Sequence, residues 1–195
     1  MRIACLAWGS LLWDPRTLPM SEDFQADGPR LPIEFSRVAL DGRVTLVIDP
    51  VAAVIATSWV RLDVRSLEEA ISGLGIREKI APERWPDWIG HHLSSDPTEL
   101  GGLKDAGVRR IIADWQAPQG LDAVVWTALP PRMPGGESRR PNCEELIVHL
   151  KSLGGEAKRR AEEYIRRAPA AVQTSNRERF ESELGQAYER ERDGD

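Results

Sequence analysis

Leu6-Ala7-Trp8-Gly9-Ser10-Leu11-Leu12-Trp13 is the stretch on which the fold turns. Before it, Ile3 to Ala7 is a short apolar run, which reads as a buried strand feeding a loop. A glycine directly after a strand lets the backbone turn sharply and approach a ligand closely. Successive backbone N–H groups in such a turn can form a nest for an anion such as a carboxylate, and Ser10 adds a hydroxyl. The plainer alternative is a tight turn that holds two core tryptophans.

Working outward, Leu18 to Gly28 reads as surface loop and Leu31 to Leu40 as a strand. Asp41-Gly42 then signals a hairpin whose returning strand is Arg43 to Ile48. Val54 to Leu62, rich in Val, Ile, Thr and Trp, is a further strand, so the first part resembles an antiparallel meander. Ser66 with Glu69 forms a capping box for a helix. Its apolar face runs through Leu67, Ala70, Ile71 and Leu74 towards Glu78, and Gly73 and Gly75 mark a break.

Pro82 to His92 is expected as a short Trp-containing helix, Leu103 to Trp115 as a longer one ended by Gly120, and Asp122 to Leu129 as a strand. Pro130 to Pro141 is loop. Asn142 with Glu145 caps a helix whose face is Leu146, Ile147 and Leu150; Glu156 to Arg167 and Asn176 to Arg192 follow as charged helices, and Glu189 to Asp195 as a solvated tail. Strands first and helices last indicate α+β, one domain over 1–195, with 142–195 a helical C-terminal extension.

The chain has 195 residues, 41% of them hydrophobic, enough for one sizeable core. A net charge of −5 argues against a nucleic-acid surface. Lys158-Arg159-Arg160, Arg166-Arg167, Arg177 and Arg179 resemble a basic face, but Glu156, Glu162, Glu163, Glu178 and Glu181 interleave with them, which favours solvated pairing. No apolar run reaches the roughly 20 residues a membrane span needs. With no export signature and two cysteines, Cys5 and Cys143, that show no disulfide or metal spacing, the expectation is a cytoplasmic protein.

Leu74-Gly75-Ile76-Arg77-Glu78-Lys79-Ile80 carries the second candidate. A carboxylate on an apolar helix face is either paired with a base or placed for acid–base work. With these pieces set out, Trp8-Gly9-Ser10-Leu11-Leu12-Trp13-Asp14-Pro15 resembles the Tyr-Gly-Ser-Leu signature of the γ-glutamylcyclotransferase superfamily, closest to its ChaC-type branch. Phe35-Ser36-Arg37-Val38, Gly42-Arg43-Val44-Thr45-Leu46 and Leu74 to Lys79 resemble that branch's following segments, in the same order and spacing. The likeness covers residues 2 to 92.

The resemblance implies a small mixed or antiparallel β-barrel flanked by helices, here with extra C-terminal helices. It implies cleavage of a γ-glutamyl amide with release of 5-oxoproline. Trp8, Gly9, Ser10, Leu11 and Arg37 would bind the γ-glutamyl substrate and Glu78 would be the general acid/base, with no metal or organic cofactor. An apolar face near Trp85 and Trp88 would supply the low-polarity surroundings that such a carboxyl works best in. Trp8 stands where the family has tyrosine; a hydroxyl is lost there, and the chain's two tyrosines, Tyr164 and Tyr188, both lie in the terminal helices. Two alternatives stand beside the enzyme: a module of the same fold that binds a small molecule without turnover, and a regulatory protein whose C-terminal helices form an interface. His91-His92, read as solvent-facing histidines at a helix end, and His149, read as a partly buried helix residue, are set aside as ligands or catalysts. Cys5 is read as a small core residue.

Overall fold

Alternation along one strand organises the interior. In β1 (Ile3–Ala7) every side chain is buried, and successive residues go to opposite faces. Ala4 and Leu6 join one apolar cluster, whereas Ile3, Cys5 and Ala7 join another. A strand apolar on both faces needs cover on both, and this one has it. The computed structural model describes residues 1–102 and 105–192, the side chains of 97–100 and 184–192 excepted. Leu103, the expected start of a helix, and 193–195, the end of the charged tail, lie outside these residues.

The elements run β1, β2 (Leu31–Val38), β3 (Val44–Ile48), β4 (Val54–Ile55), β5 (Ser58–Arg61), α1 (Leu67–Arg77), α2 (Trp85–Trp88), β6 (Ile89–Leu93), β7 (Asp96–Gly101), α3 (Ala106–Gln119), β8 (Ala123–Thr127), α4 (Cys143–Ser152), α5 (Gly155–Arg167) and α6 (Ser175–Arg192). They form an α+β arrangement with a five-stranded sheet, β5-β1-β8-β6-β7, and a three-stranded sheet, β3-β2-β4. Leu67, Ala70 and Leu74 of α1 cover one face of β1 and β8. The three-stranded sheet and α3 to α6 pack on the other, through Phe35, Ile112, Leu146, Ile165 and Phe180.

The hairpin at Asp41-Gly42 forms as expected, with Gly42 at φ +88 and Ala39 N–H donating to Arg43 O at 2.8 Å. Other expectations change. The chain is not a simple meander: β1 pairs antiparallel with β5 but parallel with β8. The strand expected over Val54 to Leu62 is two, because the chain crosses from one sheet to the other at Thr57, whose Oγ1 donates to Pro29 O at 2.6 Å. The helix expected over Pro82 to His92 ends at Trp88, and Ile89–Leu93 is a strand paired with β8. Gly90 permits this, since a Cβ there would lie 2.2 Å from the Trp126 ring. His91 and His92 therefore sit in β6; His92 is buried, its Nδ1 2.6 Å from Gln116 Oε1. Strand β7 had no forecast.

Helix α1 runs unbroken through Gly73 and Gly75 to Arg77. Gly75 instead gives room to Trp85, whose Nε1 a Cβ would meet at 2.2 Å and which donates to Ile80 O at 2.9 Å. The capping box expected at Asn142 forms in full, Glu145 N–H bonding Asn142 Oδ1 at 2.9 Å and Asn142 N–H bonding Glu145 Oε2 at 2.8 Å. Ser66 caps α1 through Glu69 N–H at 3.3 Å, but the Glu69 carboxylate accepts from Arg65 N–H at 2.8 Å in place of the reciprocal bond.

Candidate active site

Where β1 ends, the chain turns through Gly9 into a 3₁₀ turn at Ser10–Leu12. Leu12 N–H closes it on Gly9 O at 3.0 Å, and Asp14 N–H bonds Ser10 O at 2.9 Å. Gly9 is required by proximity: a Cβ there would lie 2.6 Å from Tyr164 Oη, well inside contact distance. Tyr164 arrives from α5, buried with Ala161 and Ile165 on that helix's apolar face. Its ring stands edge-on to Trp13, with centroids 5.4 Å apart.

The outer edge of β3 closes the same corner. Trp8 Nε1 donates to Leu46 O and Leu46 N–H donates to Tyr164 Oη, both at 3.4 Å. These long hydrogen bonds occupy backbone groups that an edge strand would otherwise expose. Burial pushes the Tyr164 phenol up to about 12, against the pull of backbone N–H groups at Leu46 and Ser10.

Glu78 stands at the C-terminal end of α1. Lys79 N–H bonds Ile76 O at 3.1 Å and Ile80 N–H bonds Gly75 O at 2.9 Å, which is the Schellman arrangement. Glycine normally fills the left-handed position there, but Lys79 does so at φ +57. The turn sends the chain back after Glu78, leaving its carboxylate at the mouth of the Gly9 loop.

Arg77 fixes that carboxylate. Its guanidinium, 2% exposed, donates from Nη1 to Glu78 Oε1 at 2.5 Å. It also donates from Nε to Asp14 O at 3.1 Å and from Nη2 to Ser10 Oγ at 3.4 Å. One arginine thus ties the end of α1 to both sides of the motif loop. The Glu78 side chain is 19% exposed and ion-paired, so its surroundings are charged on one side and not the uniformly apolar face expected from Trp85 and Trp88.

Trp8, Gly9, Ser10, Leu11, Arg37 and Glu78 all line one chamber of about 550 Å³, so the residues expected to bind substrate and the expected acid/base reach the same space, whereas Trp85 does not line it. Trp88, expected beside the carboxylate, lines it too, and so do Tyr164 and Arg132, neither of which was expected there. A second chamber of about 540 Å³ continues beside it, sharing Ser10, Arg43, Glu78, Lys79 and Tyr164 and bounded further by Trp13, Arg16 and Arg167. The volume of the first suits a small metabolite.

Among the described residues no group of three or more His, Cys, Asp or Glu is placed to hold a metal ion. No helix among them is long and apolar enough to cross a membrane. His149, expected as a partly buried helix residue, bonds Gly42 O through Nε2 at 2.7 Å and so braces the β2–β3 hairpin. Cys5 lies fully buried in β1. The arginines of the last helices pair with glutamates: Arg160 with Glu156 at 2.9 Å, Arg167 with Glu163 at 3.1 Å and Arg177 with Glu181 at 2.8 Å.

Tyr164 left a trace in the sequence only as part of an apolar stripe with Ala161 and Ile165, which gives burial but not destination. Arg77 showed itself only as a basic neighbour of Glu78. No family model, curated protein or solved structure matches the chain.

Proposed function

We propose that the protein is a γ-glutamylcyclotransferase-like enzyme. It releases 5-oxoproline from a γ-glutamyl amide by attack of the substrate's own α-amine on its γ-carbonyl. The observation that carries this reading is the convergence of the Gly9–Leu11 turn, the Glu78 carboxylate and the Tyr164 hydroxyl on one chamber. The motif resemblance over residues 2 to 92 supports it.

In this scheme the amine nitrogen forms a bond to the carbon of the γ-carbonyl while Glu78 takes its proton. The oxyanion, or the substrate's α-carboxylate, is held by backbone N–H groups of Gly9 to Leu11. Collapse breaks the original C–N bond, and Glu78 returns the proton to the departing amine, so one carboxyl serves twice. The reaction is intramolecular, so holding the chain folded back on itself supplies much of the rate. Arg77 keeps Glu78 in place, and Tyr164 supplies a hydroxyl to the chamber that Trp8 also lines, both side chains bonding the backbone of Leu46.

The ion pair between Glu78 and Arg77 favours a second reading, a module that binds a small molecule in the same chamber without turnover. A carboxylate oxygen held by a guanidinium is less free to swing onto a substrate. An interface role for the last helices has less support: among the described residues Val148 is their only large exposed apolar side chain.

The deciding experiment is 5-oxoproline release from a panel of γ-glutamyl compounds, glutathione included. Wild type should turn over at least one, and Glu78→Gln should lower kcat by about 10²–10⁴-fold. No release from any compound by folded wild type would reject the enzyme in favour of the binding module.

A further inference from the structure

The charge inside the chamber does not balance. Three of its arginines, Arg37, Arg84 and Arg132, have no carboxylate within ion-pair distance among the described residues. The lining acids are otherwise engaged: Asp41 is held by Arg43 at 2.8 Å and Glu78 by Arg77 at 2.5 Å. Among the described lining residues that leaves only Glu83, an exposed residue, to oppose three guanidiniums and Lys79. This excess sits in a chain whose net charge is −5.

Burial makes the imbalance costly. Arg37 is 7% exposed, and its guanidinium makes one hydrogen bond, from Nη1 to Pro130 O at 2.6 Å, although a guanidinium carries five donors. Burial, and secondly the neighbouring Arg132, push Arg37 down to about 10. An unpaired buried charge is normally selected against unless something complements it.

Arg132 is held beside Arg37. The backbone pairs in a parallel bridge, Val38 N–H donating to Arg132 O at 2.9 Å and Arg132 N–H to Ser36 O at 3.1 Å. The turn that follows is shaped around the Arg132 side chain: Gly136 has φ +99, and a Cβ on it would lie 2.8 Å from Arg132 Nη2. Arg140 pairs with buried Asp49 at 2.5 Å and Arg139 with Glu145 at 2.7 Å, which pins the loop to the core and to α4. Arg37 and Arg84 both lie against Trp88, their guanidinium carbons 5.7 and 5.4 Å from its ring centroid. A guanidinium set on an aromatic face keeps its N–H edge free for an oxygen ligand.

We infer that Arg37 and Arg84, which both lie against Trp88, together with Arg132 beside Arg37, form a subsite for an anionic oxygen group, a carboxylate or a phosphate, carried by the ligand that fills the chamber. The inference goes beyond the cyclotransferase reading and does not depend on it, since a ligand bound without turnover would use the subsite equally. Planar forks suit both groups, because each offers two oxygens to parallel N–H bonds.

The test is a calorimetric titration at low ionic strength with succinate and, separately, with inorganic phosphate. Wild type should bind at least one of them, and which one identifies the group. Arg132→Ala should weaken that binding about tenfold or more, and raised salt should weaken it too. Arg110→Ala removes the same charge from an exposed site paired with Asp114, and should leave binding unchanged. Arg84→Gln, a change at an exposed position, should weaken binding as Arg132→Ala does and covers the case in which loss of Arg132 disturbs its loop. The inference is overturned if neither anion binds wild type up to about 50 mM. It is equally overturned if Arg110→Ala weakens binding as much as Arg132→Ala and Arg84→Gln do, or if neither of those two weakens it. None of these outcomes depends on 5-oxoproline release.

Discussion

Tyr164 shows how one side chain can join a distant helix to the motif loop. Its phenol is buried, and burial, more than any neighbour, raises it from 10.0 to about 12. The native protein therefore keeps this proton over a range in which the unfolded chain has lost it. With fewer protons bound in the unfolded state, stability must fall as pH rises. The contribution is whole below pH 10 and is lost towards pH 12, a change of up to about 2–3 kcal/mol. Burial pushes the Cys5 thiol upward as well, so it acts in the same direction. The measurement is thus a comparison: urea unfolding of wild type and Tyr164→Phe at pH 9, 10 and 11. Wild type should lose stability more steeply than the variant above pH 10. Parallel curves would mean that the phenol is not held in its protonated form by the fold.

Between elements, the critical contact is the crossing of α5 over the turn after β1. At Gly9 a methyl group would meet Tyr164 Oη at 2.6 Å but the ring carbon bearing it only at 3.7 Å, an ordinary contact. Gly9→Ala should therefore cost about 1–3 kcal/mol in the wild type, as overpacking does, and much less in a Tyr164→Phe background. A double-mutant cycle by thermal unfolding should return a coupling of about 1 kcal/mol or more, and additive costs would refute the contact. The two halves of this crossing differ in how far the sequence reveals them. Strand β1 and its turn were plain because an apolar run ended by Gly9-Ser10 is a local signal. Glu78 was found because α1 has a regular face and a capped start. Strand β6 was missed: Gly90-His91-His92 carries no strand pattern, and its strand character comes from pairing with β8 and from Trp126 lying over Gly90. The parallel pairing of β1 with β8, the path of Tyr164 to Gly9 and the placing of Arg132 beside Arg37 are all contacts between distant segments. No local period encodes them.

For the molecule as a whole, the question is whether the segment from residue 142 onward is an appendage or part of the body. Leu146, Ile147, Leu150, Tyr164, Ile165 and Phe180 all belong to the main apolar cluster, with Phe35 of β2 between Tyr164 and Phe180 at centroid distances of 6.3 and 5.8 Å. Polar contacts reinforce this: Asn176 Nδ2 donates to Phe35 O at 2.8 Å, and the buried Glu34 carboxylate accepts from Asn176 N–H at 3.4 Å. Deleting the segment would strip Phe35 of both its aromatic neighbours and leave Glu34 without that donor. Each large side chain removed is worth about 1.5–3 kcal/mol of burial, and a domain's entire margin is only about 5–15 kcal/mol. The resemblance that points to a γ-glutamyl pocket ends near residue 92, yet a chain cut there or at 141 lacks the cover that its own core requires. A chain of residues 1–141 should accordingly show no cooperative urea transition by circular dichroism and should bind a hydrophobic dye strongly, while the full chain unfolds in one step. A sharp transition in the shortened chain would make the helices an accessory to the fold, since the core would then stand without their cover.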